Sequence, residues 1–184
     1  CTVASPGSRW ACQPAKAPPW YSSPSAMRWR AAACVMTSVV AAHARDVSLL
    51  VDTFSNHLDP QIAQAALEVL QAAGYTVHIA QPAAGERALC CGRTFHSNGL
   101  IDQARAEATR LLDALSPFAE RGLPIIGLEP SCLLMLRDEY HSLGLGERVG
   151  KVANAAVLLE EFLAREYDAK RLTLPLKPLN EKVL

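Results

Sequence analysis

The sequence predicts an α/β fold, a small three-layer domain of Rossmann-like build with a parallel sheet of about three strands, preceded by a disordered arm. Three observations predict it. Short apolar or β-branched runs alternate with longer stretches that carry one apolar stripe, the pattern of strands joined by right-handed helical crossovers. The residues with chemistry to offer each follow one of the short runs, where parallel sheets place their ligands. Residues 1–45 show neither a strand period nor a helix period.

That first stretch is punctuated by Pro6, Pro14, Pro18, Pro19 and Pro24, with Trp10, Trp20 and Trp29 scattered among Ser, Ala and Arg. It reads as a linker or disordered arm, with a short helix over 31–44, or as tryptophans that dock on a partner domain. The core is expected to begin at Ser48, where Ser-Leu-Leu-Val-Asp makes a buried strand. Asp59-Pro60 supplies an N-cap and a proline at the first helical position. Ile62, Ala66, Val69, Leu70 and Ala73 follow as an apolar stripe, and Gly74 ends the helix. Residues 75–79 alternate and form the second strand. A loop over 80–91 leads to a second helix, from about 98 to 115, with Leu100, Ala104, Ala108, Leu111, Leu112 and Leu115 on one face and Pro117 as its stop or kink. Residues 124–128 are the third strand. Glu129-Pro130-Ser131-Cys132 opens a helix that runs to about 140, and Val152, Ala155, Ala156, Leu159 and Phe162 mark a last helix to about 167. The expected division is an arm over 1–45, an α/β domain over 46–170 and an extended tail over 171–184.

The stretch Ala-Leu-Cys-Cys-Gly-Arg-Thr-Phe-His-Ser-Asn-Gly-Leu over 88–100 is the chemical centre of the chain. Neighbouring Cα atoms sit about 3.8 Å apart, whereas a disulfide normally spans about 4.4–6.8 Å between Cα atoms. The pair Cys90-Cys91 is therefore poorly shaped for a structural bridge and suits a shared metal or an iron–sulfur cluster. Gly92 lets the backbone turn or approach a ligand closely. Thiols just before a helix start are expected to ionise more easily. Cys132 follows the third strand and opens a helix, and Asp52 and Thr53 follow the first, so all converge on one sheet edge. The bland alternative is a set of small buried hydrophobes.

The 184 residues are half hydrophobic and one-fifth charged, with a formal net charge of zero. Nothing here points to nucleic acid, and no apolar run approaches the roughly 18 residues of a membrane span. The spacing of the six cysteines does not suit a secreted disulfide framework and points to a reducing, cytosolic setting. The chain starts at Cys1 without a signal-peptide pattern and is expected to be a fragment or a processed product.

With these residues in place, the chain resembles the cysteine-rich CCG domain of iron–sulfur oxidoreductases. This domain occurs in heterodisulfide reductases, in iron–sulfur subunits of glycolate and glycerol-3-phosphate dehydrogenases, and in lactate-utilisation proteins. The likeness covers about 47–143 and rests on Cys90-Cys91-Gly92, on Pro130-Ser131-Cys132 and on the strand and loop over 49–60. Within that family it is most similar to the first of two CCG repeats in fused FAD-linked oxidases of the D-2-hydroxyglutarate or D-lactate dehydrogenase type. The resemblance implies an electron-transfer module of a 2-hydroxy-acid dehydrogenase. Cys90, Cys91 and Cys132 would bind an iron–sulfur cluster, of 4Fe–4S type, with ligands drawn from outside the chain. FAD would sit on another part of the parent protein. The implied partners are a flavin dehydrogenase domain or subunit and a second CCG repeat, in the cytoplasm or, through partners, at the inner face of the cell membrane. No catalytic residue is implied in these residues, and the isolated chain is expected to be inactive.

The chain departs from the fuller family pattern at two positions. Thr53 stands where a cysteine follows the first strand, and Met135 stands where Cys132 would begin a Cys-x-x-Cys. Two other readings of the same residues stay open: a zinc site built from Cys90, Cys91, Cys132 and His96, and a degenerate scaffold that packs on a catalytic partner. His57 reads as a solvated loop histidine. Arg93 could offset cluster charge, and Glu129 could face the site or be a solvated turn residue. No glycine-rich phosphate loop points to a nucleotide or flavin site.

Overall fold

A computed structural model describes residues 45–174 and 176. Its elements run β1 (Arg45–Leu50), α1 (Thr53–His57), α2 (Pro60–Ala72), β2 (Tyr75–Ile79), α3 (Arg93–Ser97), α4 (Ile101–Glu120), β3 (Ile125–Gly127), α5 (Pro130–Arg137), a 3-10 helix (Glu139–Leu143), α6 (Arg148–Ala155), β4 (Ala156–Leu158) and α7 (Leu159–Asp168). The strands form one sheet in the order β2-β1-β3-β4. Every pairing is parallel: Leu49 lies beside Ile79 on one side and Ile126 on the other, and Ile126 beside Val157.

Strand alternation divides the core into two layers. Val47, Leu49, Tyr75, Ile126 and Val157 pack with Leu67 and Leu70 of α2 and Phe162 of α7. Leu50 and Ile125 face the other way, against Leu111, Leu112 and Leu115 of α4, Met135 and Leu136 of α5, and Val149 and Val152 of α6. Helices therefore cover both faces, the three-layer arrangement expected from the sequence. The chain leaves β1 toward one face and β3 toward the other. The gap between the carboxyl ends of β1 and β3 is the point where open α/β sheets hold their ligands.

Four details differ from the sequence reading. A fourth strand, β4, interrupts what reads as one helix over 152–167. Val157 is pulled into the core, and the Glu161 carboxylate accepts the Leu158 N–H at 3.0 Å, which restarts the helix one residue after the strand. The buried stripe of α2 is Ala63, Ala66, Leu67 and Leu70, rotated by one residue, so Ile62 is 51% exposed. Pro117 neither stops nor visibly ends α4, which continues to Glu120; the carbonyl it leaves unpaired belongs to Asp113, on the exposed side. Residues 53–57, read as loop, form the short helix α1, and residues 93–97, between the expected loop over 80–91 and the expected helix from about 98, form α3. The expected arm lies outside the described residues except for Arg45, which already belongs to β1, and most of the far tail lies outside them too. Leu172 and Leu174 pack onto the layer that holds Leu49, Ile126 and Phe162.

A polar cluster closes the amino-terminal edge of the sheet. Glu166 of α7 is 8% exposed. Its carboxylate accepts from Arg45 Nη1 at 2.8 Å, from Arg171 Nε at 3.1 Å and from the Tyr75 hydroxyl. The Arg45 guanidinium lies 4.3 Å above the Tyr75 ring centre and donates to the Arg171 carbonyl at 2.8 Å. The Arg171 hydrogen bond holds the Glu166 carboxyl below its ordinary value. Burial, followed by the Glu166 hydrogen bond, pushes the Tyr75 phenol up to about 12.

Because the Glu166 value is depressed in the folded chain, its contribution to stability is present above its ordinary 4.5 and is lost as pH falls through the folded value. Thermal unfolding followed at a series of pH values should show Glu166→Gln less stable than the parent at pH 7, with the gap closing on the acid side of 4.5. A gap that is constant with pH would show that the carboxylate's charge contributes nothing.

Candidate functional site

Three chain segments meet at the carboxyl edge of the sheet. The first follows β1. Asp52, 4% exposed, caps α1: one carboxylate oxygen accepts the Phe54 and Ser55 N–H groups at 2.8 and 3.1 Å, and the other accepts the Ser55 hydroxyl at 2.6 Å. This fixes the first helical residue, Thr53, whose hydroxyl hydrogen-bonds Cys90.

The second segment is the loop from β2. It is held by Glu107 of α4, a carboxylate only 2% exposed on an otherwise apolar face. Arg87 Nη1 donates to it at 3.0 Å and Arg110 Nη1 at 2.9 Å. Arg110 also reaches the Arg87 carbonyl at 2.5 Å and Glu86 at 3.1 Å. Three residues past Leu89 the chain turns through Gly92, with φ +83°. A Cβ at this position would lie 2.9 Å from the Ala104 carbonyl oxygen, so the residue's lack of a side chain lets the turn lie flat on α4. The Tyr140 hydroxyl, fully buried, donates to the Cys91 carbonyl at 2.8 Å. Arg93 pairs with Glu139.

The third segment follows β3. Glu129 caps α5 by accepting from the Ser131 N–H at 3.2 Å and the Ser131 hydroxyl at 2.8 Å, and Pro130 occupies the first turn. Cys132 is thereby placed in that turn. The helix lies close on its strand: a Cβ on Gly127 would be 2.6 Å from Leu133 Cδ1.

Cys90, Cys91 and Cys132 are all free thiols. Cys90 interacts with the Thr53 hydroxyl and with Cys91, and Cys91 with Cys132. The Gly92 N–H approaches Cys90 Sγ at 3.5 Å and the Arg93 N–H approaches Cys91 Sγ at 3.4 Å. Cys91 and Cys132 are 5% and 3% exposed, while Cys90 is half-buried. Easier ionisation, expected from the helix start, is not what the surroundings produce. Donation to Cys91, followed by burial, raises the Cys90 thiol well above its ordinary value. Donation to Cys132 pushes Cys91 up to about 12, with burial adding to it. The two backbone N–H bonds act the other way and are outweighed.

The structure thus brings together Thr53, Cys90, Cys91 and Cys132. It does not bring in His96, whose half-buried ring on α3 makes no hydrogen bond or ion pair among the described residues, nor His57, exposed beside Asn56 Nδ2 at 3.3 Å. Met135 is fully buried in the core, Glu129 is a helix cap, and Arg93 is engaged by Glu139. Among the described residues, no group of three or more His, Cys, Asp or Glu side chains stands ready to share a metal ion. Sequence reasoning missed Glu107, Arg87 and Tyr140. A carboxylate set among Ala104, Ala108 and Leu111, with Arg110 three residues on, is the signal that could have found the first.

Two outcomes follow from this geometry. Gly92→Ala should cost about 2–3 kcal/mol in chemical denaturation, because it combines a left-handed backbone with a backbone clash; a loss under about half a kcal/mol would show that the turn is not so constrained. Raised thiol values in the folded chain mean that their contribution is complete below the ordinary 9.0 and is lost as pH climbs through the folded values. The metal-free chain should therefore lose stability between pH 9 and 12, and Cys91→Ser should lose less over that range.

No family model matches the chain, and no solved structure matches it significantly. It is similar to one subunit of the anaerobic glycerol-3-phosphate dehydrogenase of Escherichia coli K12, with 30% identity over 170 residues, 90% of this chain and 40% of that protein. It is also similar to the D-2-hydroxyglutarate dehydrogenases of E. coli K12, with 27% identity over 69% of this chain and 12% of that protein, and of Pantoea ananatis, with 26% identity over 58% of this chain and 10% of that protein. The chain spans well under half the length of each of these relatives. All of them carry the name of a dehydrogenase or of one of its subunits.

Proposed function

We propose that this chain is an electron-transfer module of a flavin-linked dehydrogenase, and that Cys90, Cys91 and Cys132 hold its iron–sulfur centre. The observation that carries the reading is the meeting of three thiols from two separate loops at the carboxyl edge of a parallel sheet. Iron–sulfur clusters are held by cysteine thiolates, four in the usual sites. Thiolate is the donor type such a cluster takes, and this chain offers three here. The fourth falls to the Thr53 oxygen or to a ligand from outside the chain, such as a second CCG repeat. A bound cluster would supply one-electron exchange. The chain's own residues do the rest: Gly92 lets the backbone come close, Tyr140 and Glu107 fix the loop, and the apolar layer behind Cys91 and Cys132 keeps water away.

The names of the relatives support a redox role, and the CCG resemblance supports this ligand set. Under this reading residues 46–170 are the CCG unit, and 171–184 lead toward the second repeat. Several large side chains around the same sheet edge are exposed: Phe54 (46%), Leu58 (75%), Leu100 (44%) and Leu134 (44%). They suit the docking of a flavin-bearing domain or subunit near half-buried Cys90. The parent's substrate, of the 2-hydroxy-acid or glycerol-3-phosphate class, would be oxidised on that partner. Among the described residues, no helix is long and apolar enough to cross a membrane.

A second reading, a degenerate repeat that only packs on a partner, is favoured by Thr53 and Met135 at the family's cysteine positions and by thiols bonded to one another. Anaerobic purification with iron and sulfide analysis separates the two. The cluster reading expects brown protein with broad visible absorption. Cys132→Ser should lose most of its iron, and Cys34→Ser, outside the described residues, should keep it. Equal metal content in the two variants, or colourless parent protein free of iron, contradicts the cluster assignment.

A further inference from the structure

The start of β1 and the exit from α7 meet at the amino edge of the sheet, the opposite end of the strands from the cysteines. Arg45 opens β1, and Arg171 follows α7. Glu166, 8% exposed, joins them: its carboxylate accepts from Arg45 Nη1 at 2.8 Å and from Arg171 Nε at 3.1 Å. The other arm of the Arg45 guanidinium donates to the Arg171 carbonyl at 2.8 Å, across 126 positions of sequence. One planar fork thus serves two acceptors, which a lysine ammonium does not reproduce.

The exit from α7 is turned sharply. Among the described residues, Lys170 is the one non-glycine with a positive φ, +56°, a conformation that L residues rarely adopt. It closes a hydrogen-bonded helix end: the Lys170 N–H reaches the Tyr167 carbonyl at 2.9 Å, and the Arg171 and Leu172 N–H groups reach the Glu166 carbonyl at 2.9 and 3.1 Å. A strained turn persists where its surroundings hold it, and the holding groups here are the Glu166 carboxylate and Arg45. Turned back in this way, Leu172 and Leu174 pack on the core layer of Phe162. With Leu176 they form one wall of an apolar groove of about 780 Å³, whose other walls include Val69 of α2 and Leu163 and Tyr167 of α7. Leu176, at the outer end, is 73% exposed.

We propose that residues 171–174 and Leu176 are a latched strap, with Glu166 as its clasp and Arg45 as the link that couples the seating of the strap to the start of β1. Closed, the strap completes the groove. Unclasped, it lifts from α2 and α7 while the sheet stays folded, because its polar ties are concentrated at its root and its remaining contacts are those of a few leucines. A rearrangement at the start of β1 is thereby felt at the strap, and displacement of the strap is felt at the start of β1. The device is independent of any cluster at the cysteines.

Hydrogen–deuterium exchange of the full chain at neutral pH, read peptide by peptide by mass spectrometry, tests the latch. Arg171→Ala removes the side-chain tie of the strap and keeps the pair of Glu166 with Arg45. It should speed exchange in the peptide that carries Leu172 and Leu174 by about tenfold or more, the worth of a hydrogen bond between charged groups, and leave the peptides of β1 and α4 at the parent rate. Glu166→Gln should act in the same way. Arg45→Lys keeps the charge and loses the fork; it should also speed exchange in the strap, from 126 positions away. Exchange in the strap that stays at the parent rate in Arg171→Ala or in Arg45→Lys would overturn the latch. Exchange that rises to the same degree in the strap, β1 and α4 would overturn it as well, because the strap would then open only with the whole fold.

Discussion

Glu107 lies within the apolar face of α4, and the loop that carries the cysteine pair is tied to it. An ionised carboxylate that deep is tolerated only when paired and hydrogen-bonded, and its partners are Arg87, from the loop itself, and Arg110, one turn along the helix. The loop therefore closes onto α4 both to satisfy a charge and to bury Leu89 and Cys91 against the apolar face of α4. Once closed, it brings Gly92 against the Ala104 carbonyl, where no side chain fits, and presents the Cys91 carbonyl to the buried Tyr140 hydroxyl. The positions of the two adjacent sulfurs follow from these contacts. Cys132 meets them because α5 lies tight on β3 at Gly127.

Much of this was legible in the residues. The first three strands, the two long helices and the convergence of Thr53, Cys90, Cys91 and Cys132 follow from period and order alone, because parallel crossovers force every strand-end residue onto one edge. What escaped did so for physical reasons. Val157 sits between two helical stretches, and its three-residue strand is too short to show a period of two; the sheet edge and the Glu161 cap decide it. The α2 stripe could be drawn through Ile62 or Ala63 equally well, and only packing against β1 and β2 chooses. Glu107 looks like a solvated charge until Arg87, 20 residues earlier, is known to lie over it. Ionisation at the cysteines was misjudged because dipole arguments consider the helix start, whereas the thiols respond first to one another.

That response bears on the chemistry. Cys90 and Cys91 hold their protons above the ordinary thiol range because hydrogen bonding to the neighbouring sulfur and burial both favour the neutral form. Ligation by a metal centre requires the opposite: the ligands give up protons, and the positive charge of the metal replaces them. Metal capture at these thiols would therefore be coupled to proton release. Thr53 adds a hydroxyl to the edge of the set, a harder and more weakly held donor than the thiolate that the family resemblance leads one to expect.

Iron K-edge X-ray absorption on the anaerobically reconstituted chain reads the atoms bound to iron. A cluster held by Cys90, Cys91 and Cys132 should give a first shell dominated by sulfur, with an iron–iron distance and at most one light-atom ligand, which Thr53→Cys converts to sulfur. A first shell of nitrogen and oxygen alone, unchanged in Cys90→Ser, Cys91→Ser and Cys132→Ser, would contradict it.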